Sequence, residues 1–224
     1  MDYRHEWKHP LNYGDFMALR QRLGAVMQRD SHALPDGTYH IRSLYFDTPD
    51  DRALREKIDG VNCREKFRIR IYNGSDQLIR LEKKSRRNAL GNKVSAQLTR
   101  DEAQSLVDGK IDWMATHDEK LVRELYDNML HQQLKPKTIV DYRRAPFVYA
   151  PGNVRVTLDW DLRTGLAGMD FLNERCVTVP VPEPVYLLEV KYDAFLPDVI
   201  RDLVQLESRS ASAFSKYAQC RIYG

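Results

Sequence analysis

Short stretches of this chain alternate charged and apolar side chains. In Lys66-Phe67-Arg68-Ile69-Arg70-Ile71-Tyr72, the bases Lys66, Arg68 and Arg70 share one face of a strand. Phe67, Ile69 and Ile71 share the other, because strand side chains alternate with period two. Ile79-Arg80-Leu81-Glu82-Lys83-Lys84 places Arg80, Glu82 and Lys84 together. Val154 to Asp161 sets Arg155, Thr157, Asp159 and Asp161 against Val154, Val156, Leu158 and Trp160. Tyr186 to Tyr192 pairs Glu189 with Lys191, and Arg4, Glu6 and Lys8 alternate with His5 and Trp7. Val140-Asp141-Tyr142-Arg143-Arg144 is a looser case. Alternation and Val, Ile and Tyr content predict strands for all of them.

One polar strand face meets water in ordinary antiparallel sheets. The recurrence of Arg and Lys, with Glu or Asp two residues away, points instead to an α+β fold. Its expected centre is a closed or nearly closed antiparallel β-barrel whose charged faces point inward, with helices packed outside. Buried charges need partners or a ligand. Guanidinium groups suit phosphate through their bidentate fork, so the expected ligand is a polyanion. The acidic minority suits a divalent cation, which prefers carboxylate oxygens.

Helical spacing predicts the outer layer. Asn12 caps a helix over Tyr13 to Gln28 with Phe16, Leu19, Leu23 and Val26 on one stripe. Thr99 and Glu102 form a capping box that opens a helix to Asp108. His117 to Gln133 and Leu196 to Glu207 are further helices with apolar stripes. Pro35-Asp36-Gly37, Asn73-Gly74 and Pro151-Gly152-Asn153 are turn signals, and Asn88 to Asn92 reads as a loop. No Pro- or Ser-rich linker divides the chain, which reads as one domain over residues 1–224.

Composition narrows the function. The net charge is only +3, so any polyanion site arises by folding and not by overall basicity. No basic tail or nucleic-acid motif is present, which argues against a nucleic-acid partner. Cys63, Cys176 and Cys220 are odd in number and far apart, as in a reducing cytoplasm. No apolar run reaches the ~18 residues a membrane span needs, and the start lacks a signal-peptide core. The six histidines fall at no metal-ligand spacing, and Trp7, Trp113 and Trp160 read as packing residues.

Seven motifs in order add a family resemblance. They are Ser43-Leu44-Tyr45-Phe46-Asp47-Thr48, Lys66-Phe67-Arg68-Ile69-Arg70, Leu81-Glu82-Lys83-Lys84, Tyr142-Arg143-Arg144-Ala145-Pro146-Phe147, Arg155-Val156-Thr157-Leu158-Asp159, Leu188-Glu189-Val190-Lys191 and Ser215-Lys216-Tyr217. Together they resemble the VTC domain, the catalytic domain of polyphosphate polymerases, within the triphosphate tunnel metalloenzymes that also include the CYTH phosphatases. The resemblance implies an eight-stranded antiparallel β-barrel tunnel with a charged lumen that takes ATP, triphosphate and polyphosphate with Mn²⁺ or Mg²⁺. It implies catalytic bases at Arg68, Arg70, Lys84 and Arg144. Lys8, Lys93, Arg155, Lys191 and Lys216 are the implied substrate-binding bases, and the alternating faces add Lys66 and Arg80. Glu189 is the implied metal ligand, with Glu6, Glu82 and Asp159 as helpers. The superfamily's Glu-x-Glu-x-Lys pattern is incomplete, since Arg4 stands where the first glutamate is expected. That weakens hydrolysis and suits a polymerase. A metal-dependent triphosphatase and a non-catalytic polyphosphate-binding subunit remain the alternatives. The resemblance also implies a membrane-protein partner in trans at the cytoplasmic side.

Overall fold

The computed structural model of the chain describes residues 4–87, 90–206 and 214–222. In chain order the elements are β1 (His5–Leu11), α1 (Tyr13–Val26), β2 (Gln28–Arg29), β3 (Tyr39–Asp47), α2 (Arg52–Ile58), β4 (Arg64–Tyr72), β5 (Ser75–Arg87) and β6 (Leu90–Leu98). Then follow α3 (Arg100–Val107), α4 (Lys120–His131), β7 (Lys135–Tyr149), β8 (Val154–Thr164), β9 (Val179–Pro180), β10 (Tyr186–Tyr192), α5 (Asp198–Val204) and α6 (Lys216–Cys220). The fold is α+β. The main strand order is β1-β10-β8-β7-β3-β4-β5-β6, and every pairing with a defined register is antiparallel.

Two compact units divide the chain. One comprises Met1–His40, Tyr142–Leu162 and Pro180–Phe214; the other comprises Ile41–Asp141, Arg163–Val179 and Ser215–Gly224. Each has its own apolar core.

In the first unit, Asn12 Oδ1 accepts from Asp15 N at 2.7 Å and caps α1. Phe16, Leu19 and Leu23 recur at helical spacing and are buried. They belong to one cluster with Val156, Leu158, Leu188 and Val190, the apolar faces of β8 and β10. Leu19 is fully buried, so its truncation to Ala costs about 2–5 kcal/mol. The helix stops where Met27 turns extended and Gln28 and Arg29 pair with β7.

In the second unit, β4 and β5 join through Asn73 and Gly74, which have φ of 54° and 71°. Two positive-φ residues make the turn that matches strand twist. Phe67, Ile69 and Ile71 are at most 3% exposed. The cluster that holds them includes Leu81, Leu98, Leu106, Val122 and Leu125 from β5, β6, α3 and α4. The capping box at α3 forms in both directions between Thr99 and Glu102.

The same unit also buries Arg42 and Asp141, 5% and 2% exposed. Arg42 Nε lies 3.1 Å from Asp141 Oδ1, and Nη1 donates to Asn173 O at 2.6 Å. This pair ties β3 to β7 on the core side, where removal of one partner would strand a charge.

Several boundaries differ from expectation. The α4 helix starts at Lys120, not His117, because a 3₁₀ turn over Asp112–Thr116 precedes it. The α1 helix ends at Val26, and α5 is shorter than Leu196 to Glu207. Glu207 lies outside the described residues, as do Asn88 and Ala89 of the expected loop. The loop's other end, Leu90 to Asn92, is already strand β6.

Candidate functional site

The predicted site residues fall into two groups, one per unit. In the second unit, register puts Arg64, Lys66, Arg68 and Arg70 of β4 opposite Arg86, Lys84, Glu82 and Arg80 of β5. Lys93 of β6 sits opposite Lys84. Glu82 is the lone acid among them and is 1% exposed. Arg68 grips its Oε2 with Nη2 at 2.7 Å and Nε at 2.8 Å. Lys93 Nζ reaches Oε1 at 2.9 Å, and Arg70 Nη1 lies 3.7 Å from Oε2. Burial would raise the Glu82 pKa, but Arg68, Arg70 and Lys93 hold it far below the usual carboxylate range.

Tyr45 of the Ser43–Thr48 motif joins this group. Arg68 Nη1 donates to its Oη at 2.7 Å, and the Lys66 ammonium lies 5.4 Å from its ring centroid. Burial alone would raise the phenol pKa. The charges of Arg68, Lys66 and Arg70 outweigh burial and bring it down to about 7. Tyr217 stacks on Tyr45 at 5.0 Å and donates to Asp47 Oδ2 at 2.6 Å. Asp47 also accepts from the backbone N–H groups of Thr48, Ala53 and Leu54 at the start of α2. Lys216, the first residue of α6, precedes Tyr217. Ser43 Oγ accepts from Arg70 Nε at 3.0 Å. Ser43 and Tyr45 share one face of β3 with Asp47, as alternation in Ser-Leu-Tyr-Phe-Asp requires.

The first unit holds Glu6, Lys8, Arg144, Arg155, Asp159, Glu189 and Lys191. Arg144 forms a fork on Asp159 at 2.7 and 2.8 Å and lies 3.9 Å from Glu189. Burial opposes its charge, yet Asp159, Tyr142 and Glu189 push its pKa up. Register places Lys8 opposite Glu189, Glu6 opposite Lys191, and Thr157 opposite Glu189. Lys191 Nζ lies 2.6 Å from Glu189 Oε1 and 3.7 Å from Glu6 Oε1. Lys8 Nζ lies 3.3 Å from the same Glu6 oxygen. Arg155 donates to Asp30 at 2.8 Å. Arg4 is engaged elsewhere, paired with Asp193 at 2.7 Å and donating to Asn153 O.

The four candidate metal carboxylates belong to different units. Glu82 lies in the second unit and the other three in the first. No group of three or more His, Cys, Asp and Glu that could hold a metal occurs among the described residues. Glu6 and Glu189 nevertheless converge on one cation, the Lys191 ammonium. Thr157 Oγ1, opposite Glu189, is buried without a hydrogen-bond partner. Glu6, Glu189 and the Thr157 hydroxyl are oxygen donors of the kind that would hold a small divalent ion.

The chain matches the VTC domain over residues 3–223. It belongs to the VTC domain family. Among solved structures, this VTC domain is similar to a candidate adenylate cyclase from Bacillus halodurans. That match has TM-score 0.53 and 17% identity, over 85% of this chain and 80% of that one. The PH1012 protein of Pyrococcus horikoshii matches with TM-score 0.50 and 14% identity, over 96% and 97% of the two chains. Such low identities establish the shared fold. A comparison with curated proteins finds no match. No described helix of the VTC domain is long and apolar enough to cross a membrane.

Proposed function

We propose that this VTC domain is a divalent-metal-dependent phosphotransferase that moves the γ-phosphoryl group of ATP onto a growing inorganic polyphosphate chain. The supporting observation is the row Lys66, Lys84 and Lys93, set side by side on β4, β5 and β6 beside Arg68 and Arg70. Directly opposed like charges destabilise a sheet. A ligand made of repeated anionic groups offsets that cost.

Arg68, Arg70 and Lys84 in the second unit hold non-bridging oxygens and stabilise the charge that develops during transfer, and Arg144 in the first unit is the further catalytic base of the reading. Phosphoryl transfer relies mainly on positioning and on such fixed charges. Glu82 and Asp159, each 1% exposed, act as internal counter-ions that fix Arg68 and Arg144. Lys8, Lys66, Arg80, Lys93, Arg155, Lys191 and Lys216 extend the cationic surfaces. Glu189 and Glu6 would hold the metal, which supplies Lewis-acid neutralisation of phosphate charge. In the transfer, a terminal oxygen of the chain forms a bond to the γ-phosphorus as the β–γ bridging bond breaks. The electron pair leaves with ADP, and no proton needs to move.

Hydrolysis of triphosphate is the second reading, favoured by the retained pair Glu6 and Glu189. The Arg4–Asp193 ion pair counts against it, because that position offers no carboxylate for a second metal. Incubation with ATP and Mn²⁺, with gel analysis for polyphosphate and assays for ADP and inorganic phosphate, separates the two. Polyphosphate with ADP supports the polymerase. Phosphate without chain growth overturns it, and binding without turnover identifies a non-catalytic subunit.

A further inference from the structure

We infer that Arg64 and Arg86 form an outlying subsite for phosphate units of a chain longer than triphosphate, an inference that rests on the polyphosphate reading above. The two arginines are directly opposite on β4 and β5. Lys66 with Lys84, and Arg70 with Arg80, are opposed in the same way, and only Arg68 with Glu82 pairs opposite charges. Residues opposed across strands have Cβ atoms about 4.5–5.5 Å apart, and like charges there repel. Three such pairs in one hairpin form a ladder of cations on one face.

The ladder is longer than a triphosphate. Strands rise about 3.3 Å per residue, so Arg64 lies about 20 Å along β4 from Arg70. Three linked phosphates held at Arg68 and Arg70 cannot also reach Arg64. The outer rung is therefore without purpose for a triphosphate ligand and useful for a longer one.

The surroundings leave this rung cationic. Burial and the nearby Arg86 charge both lower the Arg64 pKa, against an opposing pull from Glu56. Glu56 is itself held by Arg52 at 2.8 Å, and Glu65 lies 3.3 Å from Lys83. Arg64 Nη1 donates to Val61 O at 2.6 Å, which fixes the guanidinium. Arg86 is exposed and has no carboxylate partner among the described residues. A cavity of about 200 Å³ reaches Arg64 and Lys66, but Glu56 and Glu65 line it too and Arg86 does not, so the subsite rests on the exposed side of the rung at Arg86.

The test compares sodium triphosphate with a medium-chain polyphosphate by calorimetry, for the wild type and for Arg64→Gln/Arg86→Gln. Loss of charge-assisted contacts should weaken the longer chain about tenfold or more. Triphosphate affinity should change less than about twofold, because an exposed charge this far away is largely screened. The slope of log affinity against log salt for the longer chain should fall by about one to two. Arg86→Gln alone, at an exposed side chain, gives the same comparison if the double variant fails to fold. Equal weakening of both ligands, or unchanged affinity for the longer chain, overturns the subsite and leaves the proposed function standing. A wild type that binds neither ligand overturns the function itself.

Discussion

Glu82→Gln tests whether the acid at the centre of the cationic face is a counter-ion. Glutamine keeps the shape of the side chain but loses its charge, and its amide group turns a donor toward Arg68 or Lys93. Removal of one member of a buried ion pair typically costs 3–5 kcal/mol, because the remaining charge stays buried. The Lys93 side chain is 52% exposed, so solvent screens its share. The Arg68 and Arg70 side chains are 15% and 7% exposed and are not relieved in that way. The lower end, about 3 kcal/mol, is expected. At about 2–4 °C per kcal/mol for a chain of this size, melting should fall by roughly 6–12 °C. Triphosphate brings the missing negative charge, so the gap should close as it is added. Saturation at 100 times the dissociation constant contributes about 2.7 kcal/mol to any fold that binds it. The assay is circular-dichroism melting across a triphosphate series without metal. A variant that melts within about 2 °C of wild type, or binds metal-free triphosphate more weakly, would refute the counter-ion argument.

Three further outcomes are expected. Tyr45 titrates near pH 7, so triphosphate affinity should fall as pH rises through 7 and a phenolate joins the bases. Its folded pKa lies below its unfolded value, so its contribution to stability is full only above about pH 10 and is lost as pH falls through 7. Tyr45→Phe should flatten both profiles, measured by calorimetry and melting from pH 6 to 10. Arg70→Ala should lower kcat by about 10²–10³, the equivalent of about 3–4 kcal/mol of transition-state stabilisation, in the polyphosphate assay. Arg42→Met should destabilise by about 3–5 kcal/mol in denaturant melts with triphosphate affinity intact. Arg42→Met/Asp141→Leu should recover most of that loss.

Alternation made the strands legible because each has one face in a core. Tyr186–Tyr192 is a strand with the bounds that its pattern predicts, and Phe67, Ile69 and Ile71 are buried as the period requires. Strand β6 was harder to see. Leu90-Gly91-Asn92-Lys93 carries turn-forming residues, and only pairing with β5 makes them extended. The α2 helix was also hidden. Its cap comes from Asp47, six residues before Ala53, and Asp51 sits at a left-handed φ of 57°. Local propensity does not encode a distant cap of this kind. At the site, motif order named the bases. It did not show that Glu82 and Asp159 are gripped by arginines, because ion-pair geometry depends on cross-strand register. Asp141 read as part of a loosely alternating polar face until its pairing with Arg42 placed it in a core.

The hydrogen bond from Tyr217 to Asp47 spans 170 residues of sequence. A ribosome that adds about 5–20 residues per second makes Tyr217 roughly 10–30 s after Asp47 emerges. Once Leu98 is made, β3 to β6 are synthesised, and for the rest of the interval Tyr45 lacks the ring that later stacks on it. The nascent hairpins then carry their row of bases close to ribosomal RNA, the most abundant polyanion in their surroundings. Free triphosphate during translation would compete for the same bases, so this ligand should raise the yield of folded chain in a cell-free synthesis reaction.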